Sequence, residues 1–459
     1  MTPASPASLS PEPLEPVTPP EGAKPVEAPA GGWSSAQRVG FRLVCAYLVL
    51  YILPFPLDRL PGGETLTTPY EALWDALVPW VGKHLMPPEL SVRVLHSGSG
   101  DTPYAYTKLF LFVVLAGVAA AVWSWVDRHR TQYVKAHDVL RTLVRYLLAM
   151  AMLGYGMSKV LWLQFGFPEP EQLLHPYGES SPMGLLWTFM GYSEGYNLFA
   201  GGAEVLGGVL LFFRRTTTLG ALVLVGVMTN VVALNFFYDV PVKLYSSHLL
   251  LMAVFLVVPD ARRLVGLLVL NRPTQPRALQ RPFALSRRME WGLRGVKVLC
   301  VGWMVYGVVD ARLEARRKWG ADAPRPALHG LYQVESFTRD GQTLPPLLGD
   351  STRWRTLTVN RFNRVTLWRM DDTVERFNLE DDPEKKTVTL SPVAGFPGLP
   401  PVDGPPRVLG YARPDPQHLV LQGTLEGSVV EVRLKRVDLS KFPLVHRGFH
   451  WIQEYPFNR

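Results

Sequence analysis

Apolar residues run in long blocks over the first two thirds of the chain and alternate with polar residues over the last third. Blocks at Val39–Leu57, Tyr106–Val126, Leu143–Phe165, Asn197–Phe213, Thr217–Phe237, Leu244–Val258 and Trp291–Val309 approach the roughly 20 residues that a helix needs to cross a bilayer. They predict an α-helical membrane bundle of about seven spans. The shorter blocks, and the amphipathic Ala261–Leu270, leave about six or eight open. Between the first two blocks, Pro69–Met86 is amphipathic with Leu, Trp and Val on one side; it is expected to lie on the outer membrane surface or to pack on the bundle. Gly98–Tyr104 is turn-rich and leads into the second span.

From about Leu328 the period becomes that of strands. Leu331–Phe337, Thr356–Asn360, Val365–Met370, Val374–Leu379, Thr387–Leu390, Val408–Ala412, Leu419–Gln422 and Val429–Leu434 alternate, and turn signals such as Arg339-Asp340-Gly341 and Asp381-Asp382-Pro383 separate them. About eight antiparallel strands suit a small C-terminal β-barrel domain. Its opening Gly330-Leu331-Tyr332 with Glu335, followed by a meander, resembles a lipocalin-like domain, whose interior would be either filled or ligand-holding. The expected divisions are a disordered tail at 1–34, first spans with an outer interfacial loop at 35–138, a core at 139–260, a basic segment and last span at 261–318, and the β domain at 325–459. The aromatic tail Arg447–Arg459 is expected to dock on the barrel or on a membrane surface.

Charge orients the bundle. Arg38, Arg42, Arg128, Arg130, Lys135, Arg141, Arg214, Arg215 and the run from Arg262 to Arg294 fall in alternate loops and mark the cytoplasmic side. The loop Gly166–Tyr196 has no Lys or Arg but carries Glu169, Glu171, Glu179 and Glu194, so it faces outside. Arg312, Arg316, Arg317 and Lys318 after the last span argue the other way, but a late cluster seldom overrides several loops. The formal net charge of +8 therefore reads as topology and contact with anionic lipid, without nucleic acid. Cys45 and Cys300 both lie in apolar blocks, so no disulfide framework or CxxC pair is expected. Residues 1–32 have no apolar core and do not form a signal peptide. The expected location is a bacterial inner membrane, with the C-terminal domain periplasmic.

Polar residues inside the blocks carry the functional signal, because an unpaired charge in lipid costs several kcal/mol. Lys159 stands about six residues before Phe165, Glu204 about seven after Asn197, Asn230 about seven before Phe237 and His248 about four after Leu244, which at 1.5 Å per residue puts all four roughly 6–10 Å below one face. Arg145, Leu148, Met152, Tyr155 and Lys159 share one helix face, so Lys159 is expected to point inward beside Tyr155 and to pair with Glu204. That pair can serve chemistry or merely fix helix register. Asp239 and Lys243 are expected to form a polar outer hairpin at Pro241. Asn230 and His248 would face the bundle, the histidine more simply as a hydrogen-bonded packing residue. Glu179–Ser193 is too short to cross and would close the outer side of this cluster. Only His248 lies within a span, which disfavours bis-His haem, and no metal motif, P-loop or dinucleotide fingerprint has supporting context. A quinone headgroup needs only one or two donors at shallow depth, which Lys159, Tyr155, Asn230 or His248 could supply.

Arg145, Gly156 and Lys159 in one span, then Glu204, Gly207, Gly208 and Arg215 in and after the next, resemble the DoxX family of four-helix membrane proteins over roughly Val139–Pro259. The resemblance implies a DoxX-like four-helix core and a link to membrane redox or thiol homeostasis, the family being similar in part to subunits of a thiosulfate:quinone oxidoreductase. The extra spans, long outer loops and β domain depart from it. The expected function is binding of a quinone or another lipid-soluble molecule for envelope redox, with a redox partner supplying electrons. The alternatives are a non-enzymatic module that binds lipid or another hydrophobic ligand, and a scaffold for an envelope protein.

Overall fold

The computed structural model describes residues 32–458 apart from 88–89, 91, 95–96, 276–285 and 394–403. Residues 1–31 of the expected N-terminal tail and part of the basic run therefore lie outside the described residues. The helical part comprises α1 (Ser35–Ile52), α2 (Gly63–Leu85), α3 (Pro103–Val126), α4 (Val134–Val160), the short α5 (Pro170–Leu174), α6 (Pro182–Tyr192), α7 (Glu194–Leu211), α8 (Thr217–Phe237), α9 (Lys243–Val257), α10 (Ala261–Leu268) and α11 (Arg287–Trp319). Side-chain oxygens start several of these: Ser34 and Gln37 form a capping box on α1, and Thr102 and Ser193 cap α3 and α7, supplying acceptors for amides that the first turn leaves unpaired.

Among the described residues, five helices are long and apolar enough to cross a membrane: Ser35–Arg59, Pro103–Val126, Val134–Val160, Thr217–Phe237 and Arg287–Trp319. The other two expected crossings become α7, whose first turn carries Glu194 and Asn197, and the 15-residue α9. Both are packed inside the bundle, α7 on α4 and α8, and α9 on α8 and α4. The core between them is built from Leu148, Met152, Leu211, Leu224, Met228 and Met252, all almost fully buried. The close approach of α4 and α7 depends on glycine. A Cβ on Gly156 would stand 2.7 Å from the Gly201 carbonyl oxygen, and one on Gly201 would stand 2.6 Å from that of Gly156.

The third expected span ends earlier than its apolar block. Trp162 takes a left-handed conformation with φ of 56°, and the amides of Leu163 and Gln164 both donate to the Ser158 carbonyl. The chain thus leaves the helix after Val160, and Phe165 folds back against Trp187 of α6 at 5.0 Å between ring centroids. Lys159 lies in the last turn of α4, closer to the helix end than the apolar block suggests. Helix α2 packs on the bundle: Trp74, Val78 and Val81 are buried, and the Trp74–Phe112 contact ties it to α3. Its opposite side leaves Leu66, Leu73 and Trp80 exposed.

Strands β1 (Gly330–Arg339), β2 (Gln342–Thr343), β3 (Trp354–Val359), β4 (Arg364–Arg369), β5 (Val374–Asp382), β6 (Thr387–Pro392), β7 (Arg407–Asp415), β8 (His418–Leu425) and β9 (Ser428–Arg436) follow. Each main strand pairs antiparallel with the next, β2 pairs only with β1, and β9 returns to β1 from Tyr332↔Arg436 to Arg339↔Val430. The result is a closed eight-stranded up-and-down barrel. Closure removes the sheet edges. Its interior is filled by Tyr332, Phe337, Trp354, Leu357, Phe377 and Val432 among others, which decides between the two interiors that the sequence left open.

Of the two expected positions for the aromatic tail, on the barrel or on a membrane surface, its exposed side chains do not fit the first. Trp451 is 91 % exposed and Phe449, Ile452 and Tyr455 are nearly as exposed; Phe449 meets Trp451, and Arg447 lies over the Phe457 ring.

Candidate functional site

Helix α4 brings Lys159 and α7 brings Glu204 to the contact that the glycines permit. The lysine Nζ donates to both carboxylate oxygens, at 2.8 Å to Oε1 and 2.9 Å to Oε2. The residues are 7 % and 2 % exposed. Three protons on an ammonium and two bonds to Glu204 leave one donor for another acceptor. Tyr155, one turn earlier, presents its ring 5.9 Å from the lysine Nζ.

The pair opens onto a cavity of about 450 Å³. Met152, Leu186, Trp187, Met190 and Leu249 make it mainly apolar, and Tyr155, Gln164, Asn230 and Asn235 add polar atoms. Helix α6 roofs it, as expected for Glu179–Ser193. The Asn197 amide nitrogen pins that roof by donating to the Met190 carbonyl at 2.5 Å and to Ser193 at 3.0 Å. On one side the lining reaches Phe199 of α7 and Asn230 of α8, both exposed on the outside of the bundle. Asn235 is held by the Ser246 hydroxyl at 2.9 Å. Asn230 makes no hydrogen bond among the described residues, so its amide stands at the cavity mouth and not inside the bundle as expected.

His248 lies elsewhere than expected. Its Nδ1 meets the Leu244 carbonyl at 2.6 Å and its Nε2 the Tyr47 hydroxyl at 2.5 Å. A carbonyl can only accept, so Nδ1 carries the proton and Nε2 accepts from Tyr47. The ring also stacks on Tyr51 at 4.1 Å. It therefore joins α9 to α1 as a packing residue and lines a second chamber of about 520 Å³. Tyr155, Tyr245, Gly98 and Val242 line both chambers.

The contact expected of the Asp239–Lys243 hairpin is present, with the Lys243 Nζ donating to Asp239 at 2.9 Å. Its neighbour Asp101, which sequence reading missed, accepts from the backbone amides of Lys243 and Leu244 at 2.8 and 3.0 Å and so caps α9. Lys108, Tyr51 and Tyr245 were missed as well. Lys108, a charge just inside the block that begins at Tyr106, was the available signal. Two aromatic residues in aromatic-rich helices gave none.

The loop between α4 and α6 also holds the barrel. In the hairpin between β3 and β4, the Arg361 side chain and backbone amide both bind Glu169, and Asn360 donates to Glu171 at 2.8 Å. His329 approaches Glu169 at 3.6 Å. Burial pushes the Glu169 carboxyl up, but the neighbouring His329 and the charge and hydrogen bonds of Arg361 outweigh that and hold it below the usual carboxylate range. Burial raises Glu171, and the Asn360 bond only partly offsets it.

The chain is 36 % identical over 123 residues to an uncharacterized protein of Bacillus subtilis, YwoB, covering 27 % of this chain and 78 % of YwoB. The chain belongs to the family of YwoB. That membership brings no activity, because YwoB is itself uncharacterized. No protein-family model and no solved structure matches the chain.

Proposed function

We propose that this is a multi-pass inner-membrane protein with a DoxX-like core, in which the Lys159–Glu204 cavity binds a quinone or another lipid-soluble molecule in the outer half of the bilayer for envelope redox. The observation that carries this reading is the buried pair facing a mainly apolar cavity that reaches the outside of the bundle between Phe199 and Asn230. An apolar ligand can enter there from lipid without crossing water. A quinone carbonyl accepts hydrogen bonds, and the third Lys159 proton and the Asn230 amide are free to donate. Reduction to quinol takes two electrons and two protons; a redox partner supplies the electrons, and Lys159 and Glu204 exchange protons with the headgroup. The DoxX resemblance supports the redox assignment. Seven crossings and a periplasmic barrel belong to the same reading.

The filled barrel interior speaks against passing ligand to the β domain, leaving the barrel a cap over the outer end of the bundle. The exposed aromatic tail favours one further role, contact with an envelope protein; absence of any stable partner in pull-downs of the intact chain would count against it. The principal test is mass spectrometry of quinones co-purifying with the gently solubilised protein. Wild-type protein should retain quinone and Lys159→Ala should lose it. Protein that carries none, together with an unaltered redox phenotype in the variant, would remove the proposal.

A further inference from the structure

The second chamber is a different kind of site. Lys108 of α3 lines it, and among the described residues its ammonium has no hydrogen bond and no ion pair. Its neighbours are the faces of Trp74, Tyr104 and Phe112, 5.6 to 5.9 Å away. Tyr51, Tyr155 and Tyr245 line the chamber as well, and their hydroxyls also make no hydrogen bond among the described residues. His248 contributes no donor there, because its Nδ1 proton is taken by Leu244. The chamber is therefore lined by one cation and three tyrosines whose polar atoms have no hydrogen-bond acceptor among the described residues. Unmatched donors beside apolar surface call for an oxygen-rich anion.

Depth and charge narrow the ligand. Lys108 lies five residues after Pro103, the first residue of α3, or about 7.5 Å along the axis at 1.5 Å per residue. With the start of α3 at the membrane surface, that depth is the boundary between headgroups and acyl chains. Leu53, Leu109, Phe112 and Leu244 complete the walls, which suits the first methylenes of a lipid tail. Asp75 and Glu71 of α2 act on Lys108 through space, and Asp75 already accepts from the Tyr104 hydroxyl at 2.7 Å. These carboxylates disfavour a doubly charged ion such as free phosphate, and are compatible with a phosphodiester carrying a single charge.

We propose that this chamber binds the phosphodiester headgroup of an anionic phospholipid, with Lys108 as its charge partner and Tyr51, Tyr155 and Tyr245 as hydrogen-bond donors. The site depends on the outer-leaflet placement but not on quinone chemistry, and its readout is phospholipid class.

The full-length protein, reconstituted in liposomes of equimolar phosphatidylglycerol, phosphatidylethanolamine and phosphatidylcholine and released for native mass spectrometry, should retain phosphatidylglycerol in excess. Lys108→Gln should reduce that excess about tenfold, the loss of one charge-assisted hydrogen bond, while Lys108→Arg preserves it and thermal unfolding shows both variants folded. Tyr245→Phe should give a smaller loss. Substitution of the exposed Lys83 by Gln serves as a control for surface charge and should change nothing. Retention in the proportions of the liposome, or an unchanged excess in Lys108→Gln, overturns the proposal. Displacement of the lipid by inorganic phosphate would also overturn it, assigning the site to a free anion.

Discussion

Removing either partner of the Lys159–Glu204 pair strands the other charge where water does not reach. Lys159→Met or Glu204→Leu alone should therefore destabilise the folded protein by roughly 3–5 kcal/mol, and the double substitution should recover most of it. Thermal unfolding in detergent checks this. Recovery of stability without recovery of quinone retention would separate the chemistry from the packing. Gly201→Ala forces α4 and α7 apart and should cost roughly 1–3 kcal/mol, read by the same melt. The pair itself was legible in the sequence, because a lysine and a glutamate inside apolar blocks have few other ways to be satisfied. His248 was not placed correctly. Its stacking on Tyr51 depends on the rotation of α1 against α9, which residue spacing within one helix does not encode.

The segment joining α4 to α6 couples two parts of the molecule. Arg361 holds Glu169 and donates to the Phe167 carbonyl at 3.5 Å, and Gly191 of α6 lies so close to Gly166 that a Cβ there would collide with the Gly166 carbonyl. The barrel thus grips the strap that carries the cavity roof. Since docking lowers the Glu169 carboxyl, this contact contributes its full stability above the free carboxylate range and loses it as pH falls through the docked value. Glu171 works the other way: docking raises it, so it favours the contact once protonated and opposes it when ionised. In Glu171→Gln, which removes the opposing group, protection of the 166–174 amides from hydrogen exchange should fall at acid pH, and Arg361→Ala should speed exchange there about tenfold or more at neutral pH. Exchange unaffected by the variant would mean that the barrel does not hold the strap. Sequence reading found the strands and their turns by alternation, and the strap by its acidic composition. The union of the two was invisible to it, since Arg361 is one of many arginines and its partner lies 192 residues away.

At the scale of the molecule, the contact between strap and barrel constrains topology. Both must lie on one side of any membrane, so an even number of crossings separates residue 169 from residue 361. Helices α7, α8, α9 and α11 intervene. Counting all four as crossings gives an even number, as does counting only α8 and α11; counting just one of α7 and α9, or adding α10 alone, does not. With α1, α3 and α4 before the strap, the permitted totals are seven or five, and six and eight are ruled out on this arrangement. The helix ends favour seven. Glu194 starts α7 beside the roof, and its far end meets α11 where Lys297 donates to the Phe212 carbonyl at 3.1 Å. Helix α9 starts beside Asp101 at the Asp239–Lys243 hairpin and ends near Arg141, whose guanidinium lies 3.7 Å from Asp260. Each therefore runs the depth of the bundle, although α9 alone is short for a bilayer. Single cysteines placed in a variant lacking Cys45 and Cys300 can distinguish the totals through a membrane-impermeant maleimide applied to intact cells or spheroplasts. With seven crossings, Gly178→Cys in the strap, Asp239→Cys in the outer hairpin and Lys385→Cys on the barrel should label from outside, and Arg128→Cys and Arg215→Cys only after permeabilisation. Five crossings keep the strap and barrel outside, but α7 and α9 would no longer carry the chain across. Position 215 would then label from outside and position 239 from inside, and the Lys159–Glu204 pair would lose the shared depth on which ligand entry from the outer leaflet relies.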